Sequence, residues 1–277
     1  MRIDLPRLIS PEEAKEWVRR DVDPHPVTKL PYGSTIHDAD TGEPVVALTR
    51  YPGDLEAYRA ALLRSPWNNN KRNSGIANVA APLGFTCRKP LWRQYACGVC
   101  AFARSDPETH SLIEDGAGHA YDEMKRILPE QASATAEIAS VVHPDWRMVG
   151  TPWTSGVINL SSALLYHFDK NNFRGAWSAM TVVRRGARGG NLHLPEYDVT
   201  IACRDGDLLF FPASGLLHGV TPIDLQPDGY RITTVYYSIR NMKSCLPVAE
   251  EHARAQTYLT GQAEGLLERQ RAEGLLK

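Results

Sequence analysis

The chain has 277 residues, of which 43% are hydrophobic and 23% are charged, as is ordinary for a globular protein with a full core. Its formal net charge of −1 provides no global field that would attract nucleic acid or anionic lipid. The chain contains no apolar run of membrane-spanning length, and the opening MRIDLPRLIS has no signal-peptide core, so we expect a soluble, cytoplasmic protein without membrane association.

The five cysteines are an odd number without a secretory signal, which favours reduced thiols over a disulfide framework. Cys97 and Cys100 have the C-x2-C spacing of a zinc site, and Cys87 with His110 could complete it. These partners are irregularly spaced, so buried structural thiols are the alternative.

The first half of the chain carries signals for four helices. The sequence SPEE at 10–13 supplies a capping hydroxyl, a proline at the first helical position and two acids that interact with the helix dipole. A second helix is predicted from Asp54 through Arg64, and residues 21–53 are interpreted as loops with short strands. Asp106-Pro107-Glu108 begins a third helix that reaches about Leu128, and Pro129 begins a fourth that reaches about Ser140.

From about Arg147 to Arg240 the pattern favours short strands, which is typical of a sandwich or barrel. The β-rich runs are MVG, GVINL, SALLYHF, SAMTVV, NLHLP, VTIAC, DLLFF, LLHGV and RITTVYYSI. The tail from about Val248 to Leu276 is predicted to be helical, with Leu259, Leu266 and Leu267 as its main apolar contacts. These elements predict an α+β protein with helices packed around one β-domain.

The stretch LYHFDKNNFRG at 165–175 is the strongest chemical signal in the chain. Residues i and i+2 of a strand point to the same side, so His167 and Asp169 would aim at one point. His218, which follows the strand DLLFF, is the best candidate for a third ligand. Two imidazoles and one carboxylate form the facial arrangement associated with non-haem Fe(II). A satisfied histidine at a strand end is the alternative interpretation of His167.

Two other histidines are not assigned to this site. His143-Pro144-Asp145 has the same spacing, but its central proline fits poorly in an interior strand, and no second histidine lies at a comparable distance. His193 alternates away from Leu192 and Leu194, so it is left out of the predicted ligand set.

Arg231 and Thr233 share one face of the strand that follows His218. A guanidinium binds a carboxylate through two parallel hydrogen bonds, and a neighbouring hydroxyl adds a donor. An Fe(II) site with such an arginine on the adjacent strand suits 2-oxoglutarate. An edge-strand surface charge is the alternative for Arg231.

Five motifs in this order resemble the Fe(II)/2-oxoglutarate dioxygenases of the TET/JBP superfamily, which act on the methyl group of 5-methylpyrimidines. They are HFDKNN, GGNLHLPEY at 189–197, DGDLLFFP at 205–212, LHGVTPI at 217–223 and RIT at 231–233. The resemblance covers about residues 150–240, with a weaker similarity between Asn78 and Tyr121. The chain has no room for the large zinc-binding cysteine-rich region of the animal TET proteins.

The resemblance implies a double-stranded β-helix, or jelly-roll, core with N-terminal and C-terminal flanking helices. We expect a helical and loop extension at 1–75, a dioxygenase domain at 76–245 with its jelly-roll core from about 145, and a C-terminal helix at 246–277 packed on the core. The oligomeric state stays open.

The resemblance also implies roles for individual residues. His167, Asp169 and His218 would bind Fe(II), and Arg231 with Thr233 would bind 2-oxoglutarate, with O2 as the second cosubstrate. Asn172 lies where TET-type relatives contact the target base, and its amide can hydrogen-bond to the Watson–Crick edge of a pyrimidine. A turn residue after a strand is the alternative for Asn172.

The expected activity is hydroxylation of the 5-methyl group of 5-methylcytosine or thymine in DNA. Arg64 to Arg93, with Trp67 and Trp92 interleaved, is the candidate basic rim for DNA, and Tyr166 and Phe168 are expected to flank the site as stacking surfaces. The neutral net charge keeps a free nucleoside, nucleotide or other small metabolite as an alternative substrate. A β-sandwich binding module without redox chemistry is a third interpretation, in which the three ligands would not converge.

Overall fold

The computed structural model describes residues 1–71, 77–89, 91 and 94–272. Its strands are β1 (Arg2–Leu5), β2 (Val27–Thr28), β3 (Ser34–Asp38), β4 (Pro44–Arg50), β5 (Asn68–Lys71), β6 (Ala77–Thr86), β7 (Gly98–Val99), β8 (Ser155–Leu160), β9 (Ser178–Gly189), β10 (Leu192–Leu194), β11 (Val199–Ile201), β12 (Asp207–Phe211), β13 (Gly219–Val220) and β14 (Ile223–Tyr237). Its α-helices are α1 (Pro11–Glu16), α2 (Leu55–Leu63), α3 (Ala101–Ser105), α4 (Pro107–Ile127), α5 (Pro129–Ala139) and α6 (Val248–Ala272).

The described strands form a large sheet and a small one, which confirms the predicted mixed α+β class. The ten-stranded sheet has the order β1-β3-β4-β12-β9-β14-β8-β6-β5, with β7 paired to β6. The four-stranded sheet has the order β13-β10-β11-β2. Strands from residues 1–75 therefore lie in the same sheets as strands from the second half of the chain, and the described strands do not close into a single barrel.

The two faces of the large sheet are covered by different layers. On β12, Leu208 and Phe210 point toward the cluster built with α2 and α4, whereas Leu209 and Phe211 point toward the small sheet. Alternating side chains along a strand produce this division, and all four are buried, which is why the run DLLFF is continuously apolar. The candidate site lies on the side of the large sheet that faces the small sheet.

The helix signals are confirmed. Ser10 and Glu13 form a reciprocal capping box with Pro11 at the first helical position. The side chain of Asp54 accepts hydrogen bonds from two backbone amides at the start of α2. Asp106 caps α4, and Pro129 begins α5.

Two predicted strands are wrong. The MVG run at 148–150 ends in a turn, and the SALLYHF run at 162–168 is an extended loop. The amide of Tyr166 donates to the carbonyl of Arg20, whereas the amides of His167 and Asp169 donate to the carbonyls of His218 and Ala213 in a second segment. No single neighbouring strand therefore pairs with this loop.

The apolar contacts predicted for the C-terminal helix are also wrong. Leu259, Leu266 and Leu267 are 45%, 57% and 45% exposed. The start of α6 is held instead by the buried carboxylate of Glu251, which accepts hydrogen bonds from the amides of Cys97 and Leu246.

The cysteines correct a further expectation. Cys97 and Cys245 form a disulfide across a sequence separation of 148 residues, while Cys87, Cys100 and Cys203 are buried free thiols. The prediction of reduced thiols is therefore wrong for one pair, and the cysteines no longer argue for an intracellular protein.

The zinc alternative is not supported either. Cys97 is bonded to Cys245, and Nε2 of His110 accepts a hydrogen bond from the amide of Gly84. The four proposed ligands form no metal-binding group among the described residues.

Every helix in the described part of the chain is too short or too polar to cross a bilayer.

A buried hydroxyl network attaches the helical layer to the large sheet. The hydroxyl of Tyr236 on β14 donates to the carbonyl of Ile113 on α4 at 2.7 Å and lies 2.8 Å from the hydroxyl of Tyr58 on α2. Tyr236 is fully buried, so neither partner can turn to water.

We expect Tyr236→Phe to lower the free energy of unfolding by about 1–2 kcal/mol, because it removes the buried hydrogen bonds of this hydroxyl to the Ile113 carbonyl and the Tyr58 hydroxyl. Tyr258→Phe removes a hydroxyl from an exposed tyrosine and should change the stability by less than about 0.5 kcal/mol. Equilibrium denaturation in urea measures both variants. Equal effects in the two variants would contradict the role assigned to the network.

Candidate metal centre

An antiparallel backbone bridge joins His167 and His218. The amide of His167 donates to the carbonyl of His218 at 2.9 Å, and the amide of His218 donates back at 3.1 Å. Residues paired in this way project their side chains to the same side, and the imidazole centroids are 4.3 Å apart. The predicted convergence of distant segments is thus present in the structure.

Local hydrogen bonds orient both imidazoles. Nδ1 of His167 lies 2.7 Å from the carbonyl oxygen of Leu165, and Nδ1 of His218 lies 2.9 Å from that of Leu216. A carbonyl oxygen only accepts, so each Nδ1 carries the proton and each Nε2 presents its lone pair.

Asp169 completes the group. Its Oδ1 lies 3.6 Å from Nε2 of His167, and one ligand atom from each of the three residues lies within 4.8 Å of the other two. Burial, with a smaller contribution from His167, lowers the pKa of His218 to about 4, so its imidazole is neutral at pH 7 and able to bind a metal. Two imidazoles and a carboxylate on one side of a point fit Fe(II) with open positions for other ligands. His143 and Asp145 do not belong to this group.

Arg231 lies in the cavity beside the metal ligands. Alternation along β14 turns Arg231, Thr233 and Val235 into the cavity that His167 and His218 also line. Arg231 is 1% exposed, and within the described part of the chain its Nε and Nη2 atoms have no hydrogen-bond partner. Burial lowers the pKa of Arg231, but a guanidinium remains charged in a protein. A buried cation with free donors fits a ligand that carries a carboxylate.

The turn between β9 and β10 holds the stem of Arg231. Gly190 has a φ of +65°, and a Cβ there would lie 2.5 Å from Cδ of Arg231. Only glycine allows the backbone to pass this close to the side chain. The sequence interpretation of Gly189-Gly190 as a turn beside the cosubstrate agrees with this contact.

Asn172 lies at the mouth of the cavity. It is buried, and its Nδ2 is 3.5 Å from Oγ of Ser178. A groove next to the metal ligands is lined by Asn172 together with His167, Asp169 and Tyr237. The structure therefore brings all six predicted site residues to one cavity and its opening.

Of the two aromatic side chains that were expected to flank the site, only Phe168 lies beside it. Phe168 lines the mouth, whereas Tyr166 is 2% exposed and packs with Ala14, Val22 and Leu217 away from the metal ligands. Because His167 points into the cavity, its neighbour Tyr166 points to the opposite side.

The predicted basic rim lies partly outside the described residues, which include neither Arg72 nor Trp92 and Arg93. Within the described part, Trp67 packs against the core that underlies α2 and α4, and Arg88 lies 3.4 Å from the buried carboxylate of Glu251.

Four cations at the mouth were not identified from the sequence. Beside Asn172 and Phe168, a second groove is lined by the basic side chains of Lys15, Lys170, Arg174 and Arg240 and by one acid, Glu12. Lys170 and Arg174 belong to the DKNNFRG run, where charge was available as a signal. Lys15 and Arg240 come from distant segments, so only the fold shows that they meet the others.

No protein-family model and no curated protein matches the chain by sequence. Among solved structures, NgTET1 in complex with 5mC DNA is similar, with a TM-score of 0.56 and 15% identity over 84% of this chain and 89% of that chain. An oxidoreductase of the 2OG-Fe(II) oxygenase family from Burkholderia pseudomallei has a TM-score of 0.44 and 14% identity over 71% of this chain and 85% of its own. A Pseudomonas putida prolyl-4-hydroxylase has a TM-score of 0.41 and 12% identity over 70% of this chain and 92% of its own.

The three solved structures differ in how similar they are to this chain. The chain shares the fold of NgTET1, and at 15% identity the likeness extends to the fold alone. Solved 2OG-Fe(II) oxygenases are also among the structural neighbours, but the lower TM-scores of the second and third structures add nothing to the argument.

We expect Arg231→Met to leave the free energy of unfolding of the ligand-free protein unchanged or higher, because it replaces an unpaired buried cation by an apolar side chain. Arg184→Met is the matched control. The Arg184 guanidinium donates to the carbonyls of Gly189 and Cys203 at 3.0 and 2.6 Å, so its loss should cost about 1–3 kcal/mol. Denaturant titration of both variants measures the difference. Equal destabilisation would mean that Arg231 is structurally paired and not reserved for a ligand.

Proposed function

We propose that this protein is an Fe(II)- and 2-oxoglutarate-dependent dioxygenase that hydroxylates the 5-methyl group of a modified pyrimidine, 5-methylcytosine or thymine, in DNA. The observation that carries the proposal is the shared cavity. It combines a 2-His-1-carboxylate group with a buried guanidinium of which two nitrogens, Nε and Nη2, have no hydrogen-bond partner among the described residues.

His167, Asp169 and His218 would hold Fe(II) on one side and leave its other positions free. Bound Fe(II), with 2-oxoglutarate and O2 as cosubstrates, supplies the oxidising power that inserts an oxygen atom into a C–H bond. Arg231 and Thr233 would bind the distal carboxylate of 2-oxoglutarate, because both line the cavity on the same face of β14. The apolar lining, which includes Leu192 and Phe211, would keep water away from that contact.

In this assignment the two sheets correspond to the halves of a double-stranded β-helix. The dioxygenase domain would comprise residues 76–245 with its jelly-roll core from about 145. Strands from residues 1–75 would extend both sheets at their edges, and the segment at 246–277 would flank the core. The fold shared with NgTET1 supports the assignment.

Asn172 is the proposed contact to the target base. Its amide offers both a donor and an acceptor at the opening that His167 and Asp169 also line, so a methyl group held there would face the metal. A base in duplex DNA must leave the stack to reach this point, at a cost of about a few kcal/mol. Phe168 lies on the same groove and offers an aromatic face to an extruded base.

The cations of the mouth would bind the phosphates on either side of an extruded nucleotide. Lys15, Lys170, Arg174 and Arg240 face one groove with a single acid among them, although the whole chain carries a net charge of −1. A local basic surface next to Asn172 favours a polymeric substrate over a free nucleoside. The solved NgTET1 structure is a complex with 5mC DNA, which supports the same choice.

The test incubates the protein with Fe(II), 2-oxoglutarate and O2 and, in separate reactions, with 5-methylcytosine DNA, thymine DNA and free nucleosides. Succinate is measured, and the nucleosides are analysed by mass spectrometry after digestion. We expect a hydroxymethyl product in DNA for the wild type, no succinate for His167→Ala, and wild-type turnover for His143→Ala. A product in the free nucleoside alone would replace DNA by a small-molecule substrate. Absence of succinate with every substrate would contradict the dioxygenase assignment.

Asn172→Ala separates base recognition from cosubstrate chemistry in the same assay. Because a base contact contributes about 1–3 kcal/mol, we expect product formation to fall roughly 10- to 100-fold. Succinate formed in the absence of DNA should keep its wild-type rate. An equal loss of both activities would make Asn172 a structural residue of the metal loop.

A further inference from the structure

A second group of metal-ligating side chains lies outside the candidate iron centre. One ligand atom from each of His25, His193 and Asp198 lies within 4.8 Å of the other two. From this geometry we infer that these three residues form a second divalent-metal site, of the 2-His-1-carboxylate type that binds Zn²⁺. The site has no part in the proposed oxygenase chemistry.

The unpaired nitrogen of His193 is the main support. His193 is 1% exposed, and its Nδ1 is hydrogen-bonded to the hydroxyl of Tyr166. Its Nε2 is buried, has no hydrogen-bond partner among the residues that the structure describes, and lies 3.9 Å from Oδ1 of Asp198. A buried nitrogen left without a partner requires an explanation, and a metal ion at this point supplies one.

The hydrogen bond between Nδ1 of His193 and the hydroxyl oxygen of Tyr166 is compatible with metal binding. A phenolic oxygen can accept as well as donate, so Nδ1 of His193 can keep the proton and leave the Nε2 lone pair for the ion. Ligating histidines usually have such a partner on their second nitrogen, which fixes the orientation of the ring.

The fold holds the three ligands in one place from three directions. His193 pairs with Thr200 on β11 and with Gly219 on β13, so it occupies the centre of the small sheet. His25 precedes β2, which pairs with β11, and its ring stacks on His193 with centroids 3.9 Å apart. Asp198 lies in the turn between β10 and β11 with a φ of +46°, a conformation that aspartate and asparagine tolerate better than most residues.

The distances suit a small ion. With bonds of about 2.0–2.2 Å in tetrahedral geometry, neighbouring ligand atoms on Zn²⁺ are about 3.3–3.5 Å apart. The separation of 3.9 Å between His193 and Asp198 closes to this value with a shift of a few tenths of an ångström. Asp198 and His25 are the more exposed ligands, so the carboxylate can shift, and the His25 ring, now within 16° of parallel to that of His193, can turn its in-plane lone pair toward the same ion. A water molecule would complete the coordination.

This site would lie next to the candidate iron centre, because His193 contacts the residues adjacent in sequence to His167 and His218. Tyr166, which bonds to His193, directly precedes His167, and Gly219, which pairs with His193, directly follows His218. An ion at His193 would therefore fix the segment around His25 to the small sheet next to both iron-ligand segments.

The experiment counts bound zinc. Metal-stripped protein is dialysed against buffered Zn²⁺, and the zinc content per chain is measured by elemental mass spectrometry. Zn²⁺ also fits the candidate iron centre, so we expect two ions in the wild type, one in His167→Ala, one in His25→Ala and none in the double variant. Asp198→Asn keeps the shape and the backbone preference while it removes the charge, and it should weaken the second site by about tenfold or more.

His252→Ala is the matched control, because it removes an exposed histidine of α6 and should leave two ions bound. Circular dichroism verifies that each variant is folded. Loss of all zinc in His167→Ala would overturn the inference, as would wild-type binding in both His25→Ala and Asp198→Asn. One ion that survives in His167→Ala and disappears with His25→Ala supports the second site even if the iron centre proves wrong.

Discussion

His167 and His218 exchange two backbone hydrogen bonds, and the geometry of the candidate site depends on this exchange. The two hydrogen bonds hold His167, a loop residue, opposite His218, which directly precedes β13, and turn both imidazoles to one side. The amide of Asp169 donates to the carbonyl of Ala213 at 2.9 Å, so the third ligand is attached to the same facing segment. All three ligands are thus fixed by main-chain contacts before any ion is considered, as a preorganised metal site requires.

The large sheet supplies Arg231 and Thr233, the two candidate residues for binding 2-oxoglutarate. On β14, Thr233 pairs with Asn159 of β8, and Arg231 pairs with Arg184 of β9. Arg231 therefore projects from the interior of a sheet into a cavity where its Nε and Nη2 atoms have no hydrogen-bond partner among the described residues. A divalent ion, the Asp169 carboxylate and the Arg231 guanidinium sum to two positive charges, which a dicarboxylate neutralises. An unpaired buried cation is costly in the ligand-free state, and binding of such an anion offsets that cost.

Local signals predicted much of the fold. The caps at Ser10, Asp54 and Asp106 mark real helix starts, because the relevant hydrogen bonds span only two or three residues. The alternation of Arg231 and Thr233 predicted their common face for the same reason. His167, Asp169 and His218 were chosen from residue type and spacing, and the structure brings them together.

Features that depend on distant contacts could not be predicted. The Cys97–Cys245 disulfide joins segments far apart in sequence, and the leucines of α6 face solvent although their spacing is that of an apolar helix face. The loop at 162–168 contains β-forming residues, but its hydrogen bonds are divided between the segment at 19–20 and the segment at 218–220, so it does not pair along one strand. His193 alternates away from Leu192, which lines the cavity, as expected, and only the fold shows that it meets His25 and Asp198.

The most direct measurement is a crystal structure of the protein grown without oxygen in the presence of Fe(II) and 2-oxoglutarate, with anomalous diffraction recorded at the iron edge. The account predicts iron bonded to Nε2 of His167, Nε2 of His218 and a carboxylate oxygen of Asp169. It also predicts the far carboxylate of 2-oxoglutarate on the guanidinium of Arg231. Iron bound elsewhere, or a dicarboxylate that leaves Arg231 without a partner, would contradict it.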